Sequence, residues 1–560
     1  MTEILSLRPL AAVLVSALGA LVILASGKRP NVRESWTILV AVLKFGLIGS
    51  MVPGVLAGDT YVTNLGEIVP GIEFALRADA LGVLFALLAS MLWIATSFYS
   101  IGYMRGLEEH AQTRYFASFA GSLSAAVGVA FAPNLVVLYV FYELLTVMTY
   151  PLVTHDETSE ARAAGRKYLA YTFGGGVAAL AGTVLVYTMT GTVAFTAGGI
   201  ADIAADPALA RVAFALLATG FGVKAALMPI HSWLPDAMVA PTPVSGLLHA
   251  VAVVKSGVFG IARVVLDVFG PEAVADLGVG VVLAAVAAFT LLTASVIALR
   301  QDNLKRRLAY STISQLSYIV LGLGVLGPYA LVGGLLHIPA HAFMKLTLFF
   351  CAGAIHVETH TDDISEMAGI GKRMPATMAA FGVAALGMAG IPLLAGFVSK
   401  WYLLIGSLQA DQVVFALALL VSGVLNIAYF WPIVYQAFFE SEDAVGTKPL
   451  IENPLGGRAV ADGGQVADGG GEKIEGEHVE DVSDADEHPE HVDHVADGHH
   501  GGPPEGGWER RTPMTETTWF MLGPILGVAT GAVILGIVPS QAVFLELVVD
   551  IVEAATGVLV

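Results

Sequence analysis

Apolar residues in this chain run in blocks too long for a soluble core. A helix crosses the hydrocarbon layer of a bilayer with about 20 apolar residues, and stretches of that length fall near residues 8–26, 35–57, 79–103, 113–131, 134–153, 167–189, 209–230 and 242–266. Others fall near 275–299, 308–327, 329–356, 374–406, 411–439 and 517–538. The pattern predicts an all-α integral membrane protein with about fourteen transmembrane helices. The tail 541–560 places Glu546, Asp550 and Glu553 among apolar residues, which suits a helix lying in the interface rather than a further span. The first block ends in Ala25-Ser26-Gly27, as a cleaved leader would. Its positive charges Lys28, Arg29 and Arg33 follow the apolar run instead of preceding it, so it is expected to remain as the first helix.

Composition agrees with this and locates the acidity. Hydrophobic residues make up 56% of the chain and charged ones 13%, about half the usual globular share. Between Glu440 and Glu516, 20 Asp and Glu stand against 5 Lys and Arg, so most of the net charge of −19 sits in one stretch. A basic nucleic-acid surface is excluded. The stretch is rich in Gly, Asp, Glu and His, and is expected to be a disordered, solvated linker over 441–515. Its six histidines, among them His488, His491, His494, His499 and His500, offer loose metal binding as the alternative. The one cysteine, Cys351, permits neither a disulfide framework nor a cysteine metal site. The expected organisation is therefore N-terminal helices over 1–110, a helical core over 111–440, the acidic insert, and a last helix with its tail over 516–560.

Positive loops set the orientation. Lys28/Arg29/Arg33, Arg105/Arg114, Arg162/Arg166/Lys167, Arg300/Lys305/Arg306/Arg307 and Lys372/Arg373 all follow odd-numbered spans. Both termini are then expected outside and the acidic insert in the cytoplasm.

Several ionisable groups interrupt the apolar runs, where a charge is costly and marks a pathway or a paired site. Glu143 is mid-span in 134–153. Lys224 precedes Pro229, Lys255 lies in the eighth span, and His337, His341 and Lys345 follow at intervals of four in the eleventh. Lys400 stands beside a Pro/Gly break. Each has a plainer reading: a lysine near a helix end snorkels to the headgroups, Glu143 and Lys224 form a static ion pair, and His249 is a hydrogen-bonded core histidine. One acid, four lysines and several imidazoles recurring in separate spans favour a pathway. At 100° per residue, positions 337, 341 and 345 share one helix face. A His-x₃-His pair suits a metal, but a cationic Lys345 on the same face opposes one, so a proton relay through imidazoles that titrate near neutrality fits better. His249 and Lys255, six apart, do not share a face on a regular helix.

Two spans are broken. Pro229 and Pro235 flank His231 in one, and Pro392 with Gly396 interrupts the other. Freed backbone groups at membrane depth are tolerated where they line a hydrated cavity, and paired broken helices mark inverted-repeat transporters. Five spans separate the breaks, so spans four to eight and nine to thirteen are predicted to be two inverted five-helix repeats.

These motifs carry a resemblance. The stretch from Lys224 to Ser245 (KAALMPIHSWLPDAMVAPTPVS), that from Leu304 to Gln315 (LKRRLAYSTISQ) and that from Gly390 to Lys400 (GIPLLAGFVSK) resemble the antiporter-like membrane subunits. That family comprises subunits of Mrp-type multisubunit Na⁺/H⁺ antiporters and the proton-pumping membrane-arm subunits of respiratory complex I. The resemblance covers roughly residues 70–440. It implies that Glu143 pairs with Lys224, that Lys255 is the connecting lysine, that His337, His341 and Lys345 form the relay, and that Lys400 is the terminal lysine. His249, His231, Asp236 and Lys305 would support them. A water-linked chain would then run along the midplane. Within the family, the MrpD type of antiporter protein is the most similar, although His249 resembles the MrpA type or the distal complex I protein, and the acidic insert matches none.

The resemblance implies a proton-translocating subunit that works with other membrane subunits on protons and Na⁺, with no cofactor or metal of its own. The same fold in a redox-driven enzyme, complex I or a membrane-bound hydrogenase, is the alternative. A purely structural membrane scaffold does not account for the intramembrane charges.

Overall fold

A computed structural model describes residues 2–441, 502–504, 507–541 and 543–559. The chain is mostly helical. It opens with α1 (Arg8–Ala25) and α2 (Pro30–Gly49), then α3 (Ala80–Gly106), α4 (Gln112–Ala130), α5 (Leu135–Val153), α6 (Ser159–Thr190) and α7 (Pro207–Lys224). After α8 (Val253–Arg263) come α9 (Val279–Leu299), α10 (Leu304–Val325) and α11 (Pro328–Thr359). The twelfth predicted span is split into α12 (Pro375–Ala389) and α13 (Ala395–Gln409); α14 (Val413–Phe439), α15 (Trp519–Ile537) and α16 (Phe544–Thr556) complete the chain.

Eleven helices among the described residues are long and apolar enough to cross a membrane. The sequence pattern predicts about fourteen spans; three of them are here interrupted or less apolar. The fourth, α4, is less apolar, the eighth is divided by a π-helical segment, Leu247–Val251, ahead of α8, and the twelfth breaks; the seventh also breaks, after a long apolar α7. The outer faces carry bare apolar side chains, such as Val177 and Val184 on α6 and Leu420 and Val424 on α14, as a lipid-facing surface requires. By contrast, α11 is buried along its whole apolar window, and α10 nearly so. The helix that carries His337, His341 and Lys345 is thus the central one.

The helical fold also carries one small sheet. Thr2–Leu5 (β1) pairs in parallel with Asp59–Val69 (β2), which pairs antiparallel with Ile72–Ala78 (β3). Part of this sheet falls between hydrophobic blocks, in a stretch alternating Val, Thr, Ile and Phe with polar residues, the pattern of a half-exposed strand.

Local structure repeats along the chain. Asn134 caps α5 by accepting from Val137 N at 2.9 Å and bridges to Ala194; Asn303 caps α10 by accepting from Arg306 N at 3.1 Å and bridges to Asp363. The two caps are 169 positions apart, and so are their two bridge partners. At the same spacing, α6 and α11 are both 32 residues long, and each is closed by a residue in left-handed conformation, Gly191 and His360. Two halves built in one order of elements explain that register.

The insert predicted as disordered over 441–515 lies mostly outside the described residues. Its last part does not: from 507 the chain packs. Trp508 is buried and donates to Ala368 O at 2.8 Å, and the buried Glu516 carboxylate accepts from Ala376 N, Thr377 N and Thr377 Oγ1 at 2.6–2.8 Å. The indole and the carboxylate found partners that composition does not reveal. The tail forms α16, whose Phe544, Leu547, Val548, Ile551 and Val552 are buried against α3 and α11.

Candidate functional site

Two helix breaks frame the site. The first follows Lys224, the last residue of α7; the chain turns through Pro229 and resumes in the short helix Trp233–Asp236, which contains Pro235. Groups freed there are taken by side chains: Trp233 Nε1 donates to Val223 O at 2.8 Å, and Met228 N to Thr290 Oγ1 at 3.1 Å. The second break runs from Gly390, in left-handed conformation at φ +91°, through Pro392 to Gly396 at the start of α13. Here Met388 O is freed, and it accepts from both Lys400 Nζ and, at 3.2 Å, Asn426 Nδ2.

Between the breaks lies a row of buried ionisable side chains. Lys224 is fully buried; its Nζ donates to Tyr142 O and sits 3.4 Å from the centroid of the Tyr142 ring. Glu143 is the next residue on α5. It makes no direct ion pair with Lys224, and both its carboxylate oxygens are shielded without a hydrogen-bond partner. A glycine makes the space: a Cβ on Gly176 of α6 would overlap Glu143 Oε1. The expected Glu143–Lys224 pair is therefore a through-space one, with the Tyr142 ring and carbonyl holding the ammonium.

From Lys224 the row passes to α8. Gly257 presses against the end of α7, where a Cβ would come within 2.7 Å of the Lys224 carbonyl carbon. Two residues earlier, Lys255 Nζ meets His341 Nδ1 at 2.9 Å, both groups buried. A nitrogen–nitrogen bond of this kind needs one lone pair, so the pair carries one excess proton or none. With Lys255 donating, the His341 proton is on Nε2, which is buried and has no partner.

His337 lies one turn away, its ring centroid 6.2 Å from that of His341. Its Nδ1 is 2.8 Å from Ser399 Oγ and its Nε2 2.9 Å from Gln315 Oε1. Its ring also packs on Tyr318 at 5.5 Å, and Lys400 Nζ lies 4.6 Å from that same Tyr318 ring. The row thus runs from Glu143 and Lys224 through Lys255, His341 and His337 to Lys400. Lys345 branches from it, donating to Ser311 Oγ and, at 3.2 Å, to Leu308 O. His249 is buried in the π-helical segment, 4.9 Å from the Phe349 ring, with neither ring nitrogen partnered, and it does not contact Lys255 directly. His337 and His341 turn to different partners, and both His337 nitrogens are used, so the His-x₃-His spacing makes no chelate here.

The remaining supporting residues gather at one mouth. Asp236 pairs with Lys167 at 2.6 Å, and Lys305 Nζ donates to Ala240 O at 3.1 Å. Both line a cavity of about 490 Å³ with Glu160, Arg306 and Asp362. Burial works to raise the Asp362 carboxyl, but the hydrogen bond and charge of His356, with Lys305 nearby, hold it below the usual carboxylate range. His231 is half-buried at the first break, its ring 6.4 Å from that of Tyr310.

Sequence reasoning does not find Gln315, Tyr318, Ser399, Asn426 or Tyr142, because uncharged polar and aromatic residues are common in membrane helices. It also passes over Lys44. That lysine is fully buried in α2, donating to Ser16 Oγ at 2.6 Å and Leu123 O at 2.7 Å. An ionisable residue inside the 35–57 block was signal enough to find it.

Residues 132–426 match the family described as NADH:quinone oxidoreductase/Mrp antiporter, TM. The N-type subunit of the NADH-quinone oxidoreductase of Desulforudis audaxviator (strain MP104C) is 35% identical over 396 residues, 69% of this chain and 77% of that protein. The A-type subunit of the Na(+)/H(+) antiporter of Alkalihalophilus pseudofirmus is 35% identical over 68% of this chain and 49% of its own length. The A/B-type subunit of a probable K(+)/H(+) antiporter of Rhizobium meliloti is 33% identical over 76% and 42%. The matched stretch thus spans about half the length of these two antiporter proteins. Among solved structures, a chain of the Mrp complex from Dietzia sp. DQ12-45-1b superposes with a TM-score of 0.77 at 22% identity, covering 98% of both chains. A chain of the membrane-bound sulfane sulfur reductase, an archaeal respiratory membrane complex, does so with 0.74 at 21%, again over 98% of both. At these identities the likeness is one of fold. These relatives bear N-type and A-type names, not the MrpD type that the motifs led us to expect.

Proposed function

The chain belongs to the NADH:quinone oxidoreductase/Mrp antiporter transmembrane family, and from that premise we propose that it is the proton-translocating subunit of a multisubunit monovalent cation/proton antiporter in the plasma membrane. The observation that carries this reading is the buried row: Lys255 bonded to His341, His337 one turn on, and Lys400 reached through Tyr318. Isolated charges at membrane depth are removed or paired off unless they move something. Here most of the partners are carbonyls, hydroxyls and one another.

The chemistry follows from the contacts. Glu143 lowers the energy of a charged Lys224, and drawing the ammonium toward Glu143 weakens its repulsion of the next cation at Lys255. A proton then resides more easily on the Lys255–His341 pair. His341 Nε2, Gln315 Nε2 and both Glu143 oxygens are shielded polar atoms without protein partners. Water molecules linking them would complete the path, since buried polar groups are normally bonded. His337 relays between His341 and the Lys400 end. The cavity with Lys167, Asp236 and Lys305 serves as the mouth on the side of the positive loops, which is the cytoplasmic side. Both termini then lie outside.

Replacing Lys224 or Glu143 by Ala is expected to abolish cation-dependent proton flux in proteoliposomes of the assembled complex, with subunit stoichiometry unchanged on native gels. Unchanged flux in a correctly assembled variant overturns the pathway. A redox-driven complex is the second reading, favoured by the 35% identity to an NADH-quinone oxidoreductase protein. Gentle native purification separates the two. Small membrane partners without iron or flavin support the antiporter, and stoichiometric iron–sulfur and flavin proteins support the redox enzyme.

A further inference from the structure

A second group of convergent polar side chains lies apart from the buried row. Glu109 and His110 sit in the turn between α3 and α4, and His155 follows the end of α5. One carboxylate oxygen and two imidazole nitrogens, one from each residue, lie within 4.8 Å of one another. Glu109 Oε2 is 3.6 Å from His155 Nε2 and 3.8 Å from His110 Nδ1, and the two imidazole centroids are 4.8 Å apart.

His155 gives the cluster its meaning. Its side chain is fully buried, yet neither ring nitrogen has a hydrogen-bond partner, and its Nε2 is turned to the Glu109 carboxylate. Folded proteins seldom leave a buried imidazole idle at both nitrogens. A tetrahedral ion with bonds of about 2.0–2.2 Å sets its ligand atoms roughly 3.3–3.6 Å apart, so the Glu109–His155 pair already has the spacing and the Glu109–His110 pair is close to it.

The surroundings suit a cation. The turn is pinned by Gln112 Nε2, which donates to Met104 O at 3.1 Å and Glu109 O at 3.0 Å. The neighbouring Arg114 is neutralised by Glu157 while its Nη2 holds His155 O at 3.1 Å. Asp156 Oδ1, also shielded and unpartnered, adds a second carboxyl group beside the cluster, which it shares with the Lys305 ammonium. His110 is about half exposed, which leaves an entry path and a fourth position for water.

We propose that Glu109, His110 and His155 form a binding site for a divalent transition-metal ion of the zinc class. Two imidazoles and one carboxylate select such an ion over calcium or magnesium, which prefer all-oxygen sites. Occupancy joins the α3–α4 turn to the end of α5, the helix that carries Glu143.

The test must be blind to the six histidines of the acidic insert. It therefore uses the full-length chain in its purified complex with those six replaced by Gln, stripped with a chelator and titrated with Co²⁺. The site predicts one equivalent per chain with the intense visible absorption of tetrahedral Co²⁺, displaced by Zn²⁺. His155→Gln and the solvent-facing His110→Gln are each expected to weaken binding at least 10-fold; the second sits at the surface, so folding is not at issue. Absence of stoichiometric Co²⁺ binding, or binding that both substitutions leave unchanged, overturns the site.

Discussion

At the scale of single residues, the buried lysines of this chain differ in their contacts. Lys255 bonds to His341, Lys400 shares the Tyr318 ring with His337, and Lys224 is held by the carbonyl and ring of Tyr142, the residue next to Glu143. Lys44 touches Ser16, the Leu123 carbonyl and the Trp93 ring, none of them a member of the row, and its two hydrogen bonds fasten α2 to α1 and α4. Replacing Lys44 by Met keeps the volume but leaves that carbonyl unpaired, at a cost of about 1–3 kcal/mol. The expected result is a lower melting temperature of the complex with unchanged flux per assembled complex. Loss of flux at full assembly would place Lys44 in a pathway instead. Gly176 gives the opposite case. A methyl group there overlaps Glu143 Oε1, so Gly176→Ala must turn the carboxylate aside. Flux is expected to fall at least 10-fold with little change in thermal stability, read in proteoliposomes and by a melting curve. The charged members of the row were legible because a Glu, Lys or His in an apolar run is rare. Gln315, Tyr318 and Ser399 were not, because only the fold says which of many Ser, Gln and Tyr face His337.

At the scale of elements, hydropathy located the helices, and Pro and Gly located the breaks. What it could not supply was the partners of the interrupted backbone: Trp233 on Val223 O, and Lys400 with Asn426 on Met388 O. It also missed the strands, whose alternation is short beside the apolar blocks around it. The junction after the insert was hidden for a related reason. Glu516 reads as one more acid at the end of an acidic stretch, yet it is the cap of α12, accepting from Ala376 N and Thr377 N at 2.8 and 2.7 Å. Removing a charged acceptor from this buried site costs about 1.5–3 kcal/mol. Glu516→Ala is therefore expected to speed amide hydrogen exchange at 376–378 and over 508–518, while exchange within α10 and α11 stays as it was. Exchange unchanged at 376–378 would mean that the cap contributes nothing to holding this junction.

At the scale of the whole molecule, the acidity and the buried row occupy separate parts of the chain. Every member of the row lies between Glu143 and Lys400, in helices that the 169-residue repeat ties into two matching halves. The acidic stretch enters after α14 and rejoins the body where Trp508 and Glu516 dock beside α12. As the solvated linker that its composition predicts, it would act on the row only across water, where at physiological salt such an influence fades over about 8 Å. Deleting 460–500 keeps both docking residues and shifts the net charge from −19 toward neutral. Cation-dependent proton flux is then expected to stay close to that of the intact chain at physiological salt. A modest fall confined to low ionic strength would fit an acidic stretch that gathers cations near the membrane surface. A large loss at physiological salt, with the complex intact, would mean that the insert contacts another protein of the complex or the transported ion, and the division between a conducting body and a solvated linker would have to be abandoned.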